Sequence, residues 1–164
     1  MALASGALLT THFTAHELGA DLPTVTDPIV ANLRQTAAWL EAVRGLLNAD
    51  APAGTVRRIF VVSGYRTPEH NAEVGGSTTS DHPAGLAADF EVEGLNPYQV
   101  FTRLQAARAA GTLPAFDQLI WYAADNHIHV GLGSQMRGQF LLKTTEGSYT
   151  SLVSSAVRQL RGYV

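Results

Sequence analysis

Apolar positions recur along the chain in two rhythms, one of three to four residues and one of two, and they predict a mixture of helices and strands. The clearest helix begins at Asp27-Pro28, read as an N-cap followed by proline at the first helical position, with Ile29, Leu33, Ala37, Leu40, Val43 and Leu47 on one face. Residues 48–54 read as loop by composition, and residues 58–63 (RIFVVS) as a short buried strand. Thr67-Pro68 repeats the cap-and-proline signal and predicts a short helix over 67–74, halted by Gly75-Gly76. Residues 87–93 alternate Asp89, Glu91 and Glu93 against Phe90 and Val92, a strand with its acids on one face. Asn96-Pro97, with Gln99 three residues after the cap, opens a helix carrying Val100, Phe101, Leu104 and Ala107 and ending near Gly111. Residues 116–122 and 127–132 flank a turn-compatible Ala-Ala-Asp-Asn and predict a β-hairpin. Residues 140–143 add an edge strand, and residues 151–160 a weak terminal helix.

Composition narrows the picture. With 164 residues, 46% apolar and 15% charged, the chain has the make-up of one soluble domain over residues 1–164, without internal repeat or linker. Eleven basic against fourteen acidic residues leave a net charge of −3 and no basic footprint, which argues against a nucleic-acid partner. No apolar run approaches the roughly 20 residues of a membrane span, and residues 1–11 lack the basic and apolar regions of a secretory leader. The expectation is a protein made in the cytoplasm. Cysteine is absent, so thiol catalysis and disulfides are excluded and any metal site must draw on His, Asp and Glu. Six histidines keep that option open.

The second hairpin strand places His127, His129 and Gly131 on one face and Ile128 and Val130 on the other. Residues two apart on a strand lie roughly 6.5 to 7 Å apart. Either both imidazoles approach one ion, or one binds it while the other reaches a bound substrate. His82 sits in a loop, Ser-Asp-His-Pro-Ala-Gly, seven residues before Asp89. If the Asp89 strand lies beside the hairpin, His82, Asp89 and His129 supply three nitrogen or oxygen ligands and leave a fourth tetrahedral position for water, the arrangement of a catalytic rather than a structural zinc.

The blocks Ser63-Gly64-Tyr65-Arg66, Gly75-Gly76-Ser77, Ser80-Asp81-His82, Gly85, Ala87-Ala88-Asp89, Phe116-Asp117-Gln118-Leu119-Ile120 and His127-Ile128-His129-Val130 occur in that order. In this the chain resembles the zinc D-Ala-D-Ala carboxypeptidase family of peptidases, near the branch of D,D-carboxypeptidases and bacteriophage peptidoglycan endopeptidases, over residues 12–143. The resemblance implies the α+β fold shared with the hedgehog signalling domain, a central antiparallel sheet with packed helices. Carried across by position, it makes His82, Asp89 and His129 the zinc ligands and Arg66 the group that holds the substrate carbonyl or the oxyanion developing on it.

The chain departs from the family where a carboxylate general base is expected. Three residues before His129 stands Asn126 and six before stands Ala123, while Tyr122 occupies a place often filled by Glu. Asp125, the one carboxylate of the hairpin turn, and His127 are the candidates for proton transfer. Asp81 is expected to shape its loop, Ser77 or Ser80 to brace a ligand histidine, and His12, His16 and His70 to lie on the surface. The expected function is hydrolysis of amide bonds in peptidoglycan peptides at the bacterial cell wall. The alternative is a zinc-holding structural module, such as a virion tail component, that has lost its catalytic acid. Residues 144–155, rich in Ser and Thr, are expected to form a docking tail or a flap.

Overall fold

The computed structural model describes residues 1–133 and 135–152. Among these residues four α-helices, α1 (Ala15–Leu18), α2 (Asp27–Ala49), α3 (Pro68–Glu73) and α4 (Pro97–Ala109), accompany six strands, β1 (Ile59–Ser63), β2 (Ala87–Val92), β3 (Gln118–Tyr122), β4 (His127–Gly131), β5 (Gln139–Lys143) and β6 (Tyr149–Ser151). The strands form one sheet in the order β1-β2-β4-β3-β5-β6. The α+β class expected from the sequence is the one observed.

Strand alternation divides the sheet into two unlike faces. One presents Ala88, Phe90 and Val92 of β2, Leu119 and Trp121 of β3, Ile128 and Val130 of β4, and Phe140 and Leu142 of β5 to the core, where Leu33, Leu40 and Val43 of α2 and Phe101 and Leu104 of α4 meet them. The other carries Asp89, His127, His129, Tyr122 and Lys143 toward an open cleft. Asn96 accepts a hydrogen bond from the Gln99 backbone N–H while the Gln99 side chain returns the bond, so α4 starts on the predicted capping box.

Several expectations need correction. The N-cap of α2 is Thr26, and Asp27 already lies in the first turn, so proline is the second helical residue. Strand β1 is not buried on both sides: it is the sheet's edge, and Phe60 and Val62 are half exposed. β5 is not an edge strand, because β6 pairs outside it. The sheet is mixed, since β3 and β5 run parallel. After β4 the chain crosses the end of β3 to reach its far side, and Asp117 secures the crossing by accepting three hydrogen bonds from Arg137, from the backbone N–H (2.9 Å), Nε (2.8 Å) and an η nitrogen (2.6 Å). Within the expected terminal helix, Ser151 belongs to β6, and residues 153–160 lie outside the described part.

Candidate metal centre

Asp89 lies on β2 between two neighbours, paired in register with Ser63 of β1 and His129 of β4. That register puts an aspartate and a histidine side by side on the cleft face. The third member, His82, opens a single 3-10 turn, His82–Ala84, that ends on Gly85 in the left-handed region, φ 74°. Helix α2 holds this turn from below: Asn32 donates to the Ala84 carbonyl (2.8 Å) and buried Thr36 to the Gly85 carbonyl (2.9 Å).

His82 Nε2 stands 3.3 Å from Asp89 Oδ1 and 3.3 Å from His129 Nδ1, and His129 Nδ1 stands 2.8 Å from Asp89 Oδ1. Three ligand-type atoms thus converge within 4.8 Å of one another. The side chains of His82, Asp89 and His129 are 2%, 6% and 11% exposed, so little water competes for the lone pairs they offer.

The surroundings fit a cation. His82 Nδ1 donates to the Gly64 carbonyl at 2.6 Å, which fixes the tautomer and leaves Nε2 as a bare lone pair aimed at the other two residues. The Gly64 carbonyl thereby takes the part expected of Ser77 or Ser80; Ser80 instead accepts from the His82 backbone N–H (3.3 Å), and Ser77 bonds Thr79. Burial alone would raise the Asp89 carboxyl, but the hydrogen bond from His129 and the adjacent His82 ring outweigh it and hold Asp89 well below the usual carboxylate range. Burial pushes His129 below the ordinary imidazole value against the opposing pull of Asp89. A carboxylate held ionised beside two imidazoles is the donor set of a divalent metal site.

Arg66 donates from an η nitrogen to Asp89 Oδ2 and from Nε to Ser63 Oγ (2.8 Å), so in this structure it orients a candidate ligand. His127 Nε2 is 4.0 Å from Asp89 Oδ1, and its ring stacks on Tyr122 with centroids 5.0 Å apart and planes at 19°. The Tyr122 hydroxyl is held protonated, its pKa raised by burial and by Tyr149. Asp125 is exposed on the turn at the rim of the cleft. Asp81 packs its carboxylate against Gly131 and Gly133, where a Cβ would come within 2.9 and 2.7 Å of it. Burial raises its pKa. His12, His16 and His70 face solvent, each beside an acidic neighbour, as expected.

The cleft above the centre has a volume of about 930 Å³ and runs from the loop after α3 across β3 and β5 to β6. Lys143 and Tyr149 close its far end. Sequence reasoning did not place either residue in the site, because nothing local marks a strand residue as facing a cleft whose candidate ligands lie two or more strands away.

Two histidines and an aspartate on a shielded floor, open to a peptide-sized cleft, define a metallohydrolase-type centre. A model of the peptidase M15 family matches residues 11–131, a span that contains all three ligand candidates and Arg66, and the chain belongs to that family, whose members are metallopeptidases. Comparison with curated proteins gave no match.

Proposed function

We propose that the protein is a zinc peptidase that hydrolyses amide bonds of peptidoglycan stem peptides or of their cross-links. The observation that carries this reading is the convergence of His82, Asp89 and His129 at the base of a cleft large enough for several peptide residues. When bound by these three residues, zinc supplies Lewis acidity toward a water molecule and toward the scissile carbonyl.

The chain's own groups supply the rest. Arg66 fixes the direction of Asp89 with one of its five N–H donors, gives a second to Ser63 Oγ and keeps the other three for a carbonyl oxygen gaining negative charge. His127, stacked on Tyr122 and partly exposed to the cleft, is positioned to take and return a proton. Asp125 is the second candidate for that task, reaching the cleft only from its rim. Substrate in the bacterial cell wall, and delivery there by a virion, fit the same reading.

The test is release of free amines from purified cell walls by zinc-loaded protein. Release abolished by a chelator and by His127→Ala or Asp125→Ala supports the proposal and names the proton carrier. Walls left intact by fully zinc-loaded protein overturn it. In that case the second reading, a metal-holding structural module, gains from the placement of Tyr122 where a carboxylate base is expected and from the exposed position of Asp125.

A further inference from the structure

The far end of the cleft is built around the single lysine of the whole chain, Lys143. Register carries one row of side chains across four strands: His127 pairs with Tyr122, Tyr122 with Lys143, and Lys143 with Tyr149. The Lys143 ammonium lies 5.1 Å from the centre of the Tyr122 ring and 5.5 Å from that of Tyr149. Two aromatic faces thus hold the cation in place, as such faces do, without neutralising it. The ion pairs formed by basic side chains other than histidine among the described residues belong to Arg57, Arg58, Arg66, Arg103 and Arg137. Of the two cations lining the cleft, Arg66 is engaged by Asp89, and Lys143 has no carboxylate partner among the described residues.

A half-buried ammonium, fixed by rings and facing a cleft, is poised to meet an anion brought by the ligand. Lys143 stands two strands from His129 and two residues along them, roughly 12 Å away, a distance that about three to four residues of extended peptide cover. Gln118 and Gln139, bonded side chain to side chain at 3.4 Å on the same floor, offer neutral amides along the way and no second positive charge.

From this arrangement we infer that Lys143, framed by Tyr122 and Tyr149, is a carboxylate-binding subsite that selects peptides carrying a free carboxylate within about four residues of the bond placed over His82, Asp89 and His129. The inference rests on the peptidase reading for what happens to the peptide, and on the lysine alone for which peptide is held. It adds a residue beyond the family-matched span of 11–131.

The experiment is calorimetric titration of the zinc-loaded full chain with a ketomethylene peptide analogue, which cannot be hydrolysed, ending in a free carboxylate about four residues from the ketomethylene unit, and with its carboxamide twin. The acid is expected to bind about tenfold or more tightly than the amide, the size of a charge-assisted hydrogen bond. In Lys143→Met the ratio of the two affinities is expected to fall to near one, and in Lys143→Arg to persist. A lysine with a purely structural role lowers both affinities together and leaves their ratio intact. Equal binding of acid and amide by the unaltered protein, or an unchanged ratio in Lys143→Met, overturns the inference. Failure of the peptidase reading shows elsewhere, as absence of turnover on the corresponding hydrolysable peptides, whatever the binding ratio.

Discussion

Gly64 illustrates how much one residue carries at this site. A Cβ there would lie 2.4 Å from the Leu18 carbonyl oxygen, so only glycine lets β1 leave the sheet against the end of α1. The same residue's carbonyl fixes the His82 ring. Gly64→Ala is therefore expected to lower metal affinity by about 10- to 100-fold, as loss of a ligand's supporting bond does, measurable by competition with a chromogenic chelator. His129 makes a second residue-scale prediction. Its ring is held below the ordinary value of 6.5, first by burial, so in the metal-free protein protons favour the unfolded chain. Stability then falls as pH drops through 6.5 toward the lowered native value; a metal-free protein whose melting temperature is higher at pH 5.5 than at pH 7.5 contradicts this. The three ligand candidates were legible as residues, because Asp89 and His129 sit on strands with period-two patterns and His82 beside a turn-forming glycine. The brace from Gly64 was not legible, since a backbone carbonyl leaves no mark on residue type.

Elements explain why the three ligand candidates stay in place. Helix α2 was readable from its apolar stripe, yet it also carries Thr36 on the buried side, where the hydroxyl satisfies the Gly85 carbonyl under the His82 turn. Thr36→Val is expected to cost about 1 to 3 kcal/mol by leaving that carbonyl unpaired, checked by urea unfolding. The crossing between β4 and β5 depends on Asp117, whose carboxyl is held below the ordinary range chiefly by hydrogen bonds from Arg137. Its contribution is present at neutral pH and is lost as pH falls below about 4 toward the lowered native value. Asp117→Asn is expected to destabilise the protein at pH 7 and to flatten the acid side of its stability profile between pH 4 and 2; an unchanged profile contradicts the assignment. The hairpin of β3 and β4 was visible in the sequence because its turn is local. The parallel pairing of β3 with β5 was not, because pairing across an intervening strand depends on contacts distant in the chain.

For the molecule as a whole, the division of labour between the two sheet faces is the organising fact. One face is closed by α2 and α4 around Phe90, Trp121 and Phe140, and the other is left open with its polar residues spread across β2, β4, β3 and β5. Alternation along each strand announced both faces, while the extent of the cleft, with Lys143 and Tyr149 at its end, emerged only once β5 and β6 were seen beside β3. Among the described residues no helix is long and apolar enough to cross a membrane. The central claim, that His82, Asp89 and His129 together hold one divalent metal, is tested most directly by zinc titration of the purified chain followed by calorimetry. The account predicts one zinc per chain in the unaltered protein and loss of that binding in Asp89→Ala and His129→Ala variants whose circular dichroism is unchanged. Absence of stoichiometric zinc binding, or its survival in both variants, contradicts it.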